Sequence, residues 1–253
     1  NSLTSITTAD QFVSTAGGSE DLHLKAGADC IAAGDDLGTA NDANIDINGS
    51  NRDAFAATTW DMGAHQYEIV ASIGTASRDY STITLWEADW DDTTKYGATA
   101  RIKGECYNDS VFDERCTLNG GVTSAIDYAT LSVASSERHD GTAGSGARIV
   151  MSANWSTGIL YQVGMLRGPL ITVEWLELNG GGFKDTQTSG SVIQMTSANN
   201  IYAGPQHLKN CIIHNADGND KHMYVVYVSS AHTKREVLNT IIYDCSVASG
   251  GRS

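Results

Sequence analysis

Two stretches in the last quarter of the chain line up residue for residue. Leu208-Lys209-Asn210-Cys211-Ile212-Ile213-His214-Asn215 matches Val237-Leu238-Asn239-Thr240-Ile241-Ile242-Tyr243-Asp244 when Asn210 is set on Asn239, a step of 29 residues. Val173-Glu174-Trp175-Leu176-Glu177-Leu178-Asn179 precedes them by a somewhat longer step. A period of roughly 20–35 residues built from short β-prone runs is the mark of stacked coils. One coil cannot bury its aliphatic side chains alone, so each leans on the next. The pattern therefore predicts an all-β chain folded as a parallel β-helix (a β-solenoid). Asn210 and Asn239 are expected at turn positions of neighbouring coils, bonding the backbone and each other.

The rest of the chain fits that expectation. Strand-like runs recur from Arg148 onward: ARIVMS, GILYQVG, LITVEWLELNG, SVIQMTS, HLKNCIIHNADG, YVVYVSS and EVLNTIIYDCS. Earlier come EIVASI at 68–73, then ARIKGECY, RCTLNGG and YATLSVAS within 99–135. Hydrophobic residues make up 41%, enough for a core, while charged residues are only 18% and Gly numbers 26 against Pro 2. That mixture favours many short strands and turns over helices.

Charge narrows the partners. The net charge is −14 at pH 7, with a pI of about 4.7. Phosphate contacts need clustered Lys and Arg, so nucleic acid is not expected as a partner, nor is an anionic membrane surface. No apolar run reaches the ~18 residues of a membrane span, so no membrane insertion is expected. The chain opens on Asn1 rather than Met, which suggests processing from a longer one.

Leu24-Lys25-Ala26-Gly27, Cys30-Ile31-Ala32-Ala33-Gly34, Asp46-Ile47-Asn48-Gly49 with Arg52, and Asp61-Met62-Gly63-Ala64 follow one another within 22–67. They resemble the closing segment of secreted right-handed parallel β-helix proteins, a pectate-lyase-like solenoid family of environmental bacteria and phages. Gln11-Phe12-Val13-Ser14 and Asp21-Leu22-His23-Leu24 are similar to the approach to that segment. Ile73-Gly74-Thr75 and Arg78-Asp79-Tyr80-Ser81-Thr82-Ile83-Thr84-Leu85-Trp86-Glu87 resemble the opening of another such unit. The resemblance implies a right-handed, secreted, extracellular solenoid with the closing segment placed first. Residues 1–67 would be the closing coil, and 68–253 the opening cap and coils, packed as one solenoid. Thr82 is expected to cap a short helix, Ile83–Asp89, whose Leu85 and Trp86 close the end. Ala28–Ala33 reads as a helical turn ending at Gly34. After Tyr243 no closing motif recurs.

Several side chains could carry chemistry. Asp42, Asn44, Asp46 and Asn48 alternate before Gly49, as in loops that present oxygens to Ca2+. A turn held by Asx hydrogen bonds accounts for the same spacing. Of the five cysteines, Cys106 and Cys116 flank a polar loop that a disulfide could close, worth roughly 3 kcal/mol on a chain-entropy model. Two buried free thiols are the alternative. Asp217, Asp220, Lys221 and His222 form the one cluster suited to acid–base work on a polysaccharide, against a solvated loop tip. His139-Asp140 in Arg138-His139-Asp140-Gly141 reads as a structural turn, because neighbours on an extended chain point to opposite faces.

Three functions follow. The first is an extracellular structural protein that assembles head-to-tail into a filament or surface fibre. An uncapped last coil at Ile241, Ile242 and Tyr243 would receive Asn1, Ser2, Leu3, Phe12 and Val13 of the next copy. The second is a polysaccharide lyase or glycoside hydrolase on the solenoid. The third is a non-catalytic module that stacks extracellular glycans on Trp155, Tyr161 or Tyr202.

Overall fold

The computed structural model of the chain describes residues 11–17, 21–26, 28–31, 34–35, 59–60, 68–92, 94–96, 100–118, 126–150, 160–164, 170–180, 189–197, 206–218, 222–229 and 235–247. The chain divides into two compact units, Asn1–Ile69 and Val70–Ser253.

In the first unit β1 (Phe12–Ser14) pairs antiparallel with β2 (Asp21–Leu24), and β3 (Gly34–Asp35) pairs antiparallel with β4 (Thr59–Trp60). Gln11 ties the segment together. Its carbonyl accepts from Lys25 N–H at 3.0 Å and its side-chain oxygen from Cys30 N–H at 3.1 Å. Ala28–Ile31 makes a tight turn, closed by Ile31 N–H on the Ala28 carbonyl at 3.1 Å. Gly34 opens β3 rather than terminating a helix.

The second unit is a parallel β-solenoid. Its strands are β5 (Ile69–Ile73), β6 (Ala100–Cys106), β7 (Cys116–Leu118), β8 (Ile126–Val133), β9 (Arg148–Val150), β10 (Leu160–Gly164), β11 (Leu170–Glu174), β12 (Glu177–Asn179), β13 (Ser189–Ser197), β14 (Gln206–Lys209), β15 (Ile212–Gly218), β16 (His222–Ser229), β17 (Arg235–Leu238) and β18 (Ile241–Val247). They sort into three sheets. Sheet A runs β17-β14-β11-β8-β6-β5, sheet B β18-β15-β12-β9 and sheet C β16-β13-β10-β7. From β8 onward the chain visits A, then B, then C, making three complete turns before β17 and β18 begin a fourth.

Register explains the repeat. Lys209 lies beside Leu238 and Glu174 beside Lys209, so Trp175, Asn210 and Asn239 occupy one column at the corner between sheets A and B. All three have positive φ, 63°, 52° and 48°. Asn tolerates this left-handed region far better than a β-branched residue does. The corner also splits LITVEWLELNG, HLKNCIIHNADG and EVLNTIIYDCS into two strands each, where the residue pattern alone suggested one. The Asn210 N–H donates to the Leu238 carbonyl at 3.0 Å. An amide-to-amide bond between coils is made further along sheet B, where Asn215 Nδ2 donates to Asn179 Oδ1 at 3.2 Å.

Inward rows build the core. In sheet A, Ile102, Ala129, Ile171 and Gln206 form one row and Gly104, Leu131, Val173 and Leu208 the next. Ile149, Leu178 and Ile213 face them from sheet B, and Cys116, Leu118, Ile193 and Met195 from sheet C; all are buried. Each large aliphatic side chain so covered contributes about 1.5–3 kcal/mol.

One end of the stack is closed by a helix, α1 (Ile83–Ala88), followed by a 3-10 turn at Asp89–Asp91. Thr82 caps it, its hydroxyl accepting from Leu85 N–H at 3.1 Å. Ile83 and Trp86, three apart and so on one helix face, are fully buried, and α1 packs on β6 and β7. Leu85 points away and is 52% exposed, so the end is closed by Trp86 without it. Trp90 stands edge-on to Trp86 at 4.9 Å. Gly104 makes room, since a Cβ there would come within 2.9 Å of the Trp86 ring and 2.7 Å of Ile73 Cδ1. The Glu114 carboxylate accepts from Ile83 N–H and Thr84 N–H at 2.9 Å each, and Arg78 pairs with Asp109 at 2.8 Å.

The disulfide expected between Cys106 and Cys116 is not formed; both thiols are free. Cys106 ends β6 in sheet A and Cys116 begins β7 in sheet C, so each fills core space from its own wall. Burial pushes both thiols well above their ordinary pKa, which suppresses the thiolate that disulfide exchange requires.

Candidate functional site

The opposite end of the stack is built differently. Among the described residues β16 pairs only with β13, β17 only with β14 and β18 only with β15, so three edge strands lie at one end. Their outer N–H and C=O groups are those that a further coil would use. The side chains continue the core rows. Leu208 and Ile213 are fully buried, whereas Val237 and Ile242, one coil on in the same inward rows, are 43% and 45% exposed; Ile241, 45% exposed, continues the outer row of Glu177 and Ile212. Leu238, Tyr243, Tyr224 and Val228 are exposed beside them. The row residues are aliphatic on both coils, so what differs is the presence of a covering coil.

Between β8 and β9 residues 134–147 leave the stack and strap across the outside of sheet B. The buried His139 donates through Nε2 to the Asn210 carbonyl at 2.8 Å, and its Nδ1 accepts from Gly141 N–H at 3.3 Å. A carbonyl can only accept, so Nε2 carries the proton. Arg138 and His139 pack on the Trp175 ring at 4.8 Å and 5.7 Å. Glu177, 1% exposed, accepts from Gly144 N–H and lies 2.8 Å from His214 Nε2. The His214 ring stacks flat on Tyr243 of the next coil at 5.1 Å and 7°. The strap thus ties three coils and shields Glu177; Ile241 beyond it stays exposed. His139 is a structural group here, with Asp140 turned outward to accept from Thr142 N–H at 2.9 Å.

A polar row runs along the outer face of sheet A. Tyr128 O–H donates to Thr172 Oγ1 at 3.1 Å, Thr172 Oγ1 lies 3.5 Å from His207 Nδ1, and His207 Nε2 lies 3.4 Å from Glu236. Ser132 donates to Glu174 at 2.9 Å, and Lys103 pairs with Glu105 at 2.8 Å. The row holds groups able to move protons. Thr130, Ser132 and Thr172 within it are buried, and its polar atoms bond largely to one another.

The structure brings Ile241, Ile242 and Tyr243 together on β18 at the open end and places Phe12, half-buried, and Val13, exposed, on β1 of the first unit. Asn1, Ser2 and Leu3 lie outside the described residues, as do Asp42, Asn44, Asp46 and Asn48, Asp220 and Lys221, and Trp155 and Tyr202. Asp217 sits on β15 opposite Ser246, His222 opens β16 opposite Ser189, and Tyr161 lies on β10; only their backbone is described. Among the described residues no three His, Cys, Asp or Glu side chains gather as a metal site, and no helix is long and apolar enough to cross a membrane. The sequence reading passed over Val237, Leu238, Tyr224 and Val228 at the open end, and Glu177 with His214 under the strap. The 29-residue alignment carried the signal for the first pair, since Val237 falls on the buried Leu208.

No protein-family model, no curated protein and no solved structure matches this chain.

Proposed function

We propose that this chain is an architectural, non-catalytic extracellular protein that associates with further copies of itself through the open end of its solenoid. One observation carries this. Three aligned edge strands, β16, β17 and β18, continue the buried rows of the stack with apolar side chains that nothing among the described residues covers. An exposed flat edge with an apolar row is a template for strand addition. A contiguous apolar patch of that kind marks an interaction surface. The chain's strong negative charge disfavours non-specific contacts and leaves the open end as the point of attachment. We assign the stack a right-handed coil, because parallel crossovers in one sheet take that hand in about 98% of cases. Light scattering across a concentration series should show mass growing with concentration, and Ile242→Lys should abolish the growth. A monodisperse monomer at high micromolar concentration would sink the proposal.

A polysaccharide-active solenoid is the second reading, favoured by His207 and Glu236 in one row, with Glu174 in the next, on the outside of sheet A. Cleavage of an acidic or neutral glycan that is lost in Glu174→Gln and Glu236→Gln would support it. The loop of Asp217, Asp220, Lys221 and His222 enters the same assay. Ca2+ at Asp42, Asn44, Asp46 and Asn48 is tested by calorimetric titration of the metal.

A further inference from the structure

We draw no further inference here: the strongest candidate, the side-chain cluster of Tyr128, Thr172, His207 and Glu236 on the outer face of sheet A, belongs to the site already described and holds its one aliphatic hydroxyl, that of Thr172, at 2% exposure, out of a substrate's reach.

Discussion

The two ends of the solenoid face the same physical problem and meet it differently. A stack of coils exposes unpaired strand edges and an unfinished core wherever it stops. At one end α1 lays Ile83 and Trp86 over the core, Trp90 backs them, Gly104 gives up its side chain to make room, and Glu114 and the Arg78–Asp109 pair hold the cover in place. At the other end Val237 and Ile242 sit in the same inward rows as Leu208 and Ile213 and remain half-exposed. Whether such a row is core or binding surface depends on what is stacked upon it.

Substitution at each end sharpens that contrast. Trp86→Ala should cost about 3–5 kcal/mol of folding stability, because a fully buried indole leaves a cavity that rigid strands cannot collapse into. Ile242→Ala should cost about 1 kcal/mol or less in the monomer, since half of that side chain is already in water. Urea unfolding of both variants at a concentration where the chain is monomeric would decide it. Equal losses at the two ends would break the contrast and mean that the open coil is covered in solution.

The strap lies between the extremes. Glu177→Ala should destabilise by about 1–3 kcal/mol, because it strands Gly144 N–H and the His214 ring in a buried site. Its effect should be local. Hydrogen exchange would speed at residues 139–147 and on β15 while the amides of β6 stay protected. A uniform rise in exchange would mean that the coils unfold as one unit and that the strap is not a separable clasp.

Much of this was legible before the fold was known, and the reasons differ by element. The parallel solenoid could be read from the Asn210–Asn239 alignment, since a column of left-handed corners leaves a periodic trace in residue type. The Trp175 corner left none, because an indole in that conformation depends on the packing of Arg138 and His139 around it. α1 could be read from Thr82 and the residues after it, but which of Leu85 and Trp86 faces inward depends on helix phase against β6. The Cys106–Cys116 spacing suggested a loop closure, although burial on two walls of the core makes both thiols inert. Glu177 and His214 lie 37 residues apart and Gly144 33 residues before Glu177. Their meeting follows from coil register, which a single sequence reveals only where the repeat is clean.

Acid should produce the smallest difference, again with opposite results at the two ends. Arg78 holds the Asp109 carboxyl below its ordinary range, Lys95 does the same for Asp89, and the backbone and hydroxyl of Ser72 for Asp79. A carboxyl held low in the fold adds stability that is complete above the unfolded value, near pH 4. That stability is lost as pH falls through the lower folded values. Between pH 7 and 5 the closed end should therefore be unchanged, and below about pH 4 it should loosen first. These pairs are largely solvent-facing, so screening keeps the effect modest and sensitive to salt. At the open end the rows of Val237 and Ile242 carry no carboxyl, and their exposure to water is set by stacking. Residue-resolved hydrogen exchange at pH 6 and pH 3 should show protection falling at 72–90 with that of 192–195 on β13, next to the edge strand β16, retained. Loss beginning at β13 instead would mean that the closed end is held by Trp86 alone and that its carboxylates are ornament to an apolar lid.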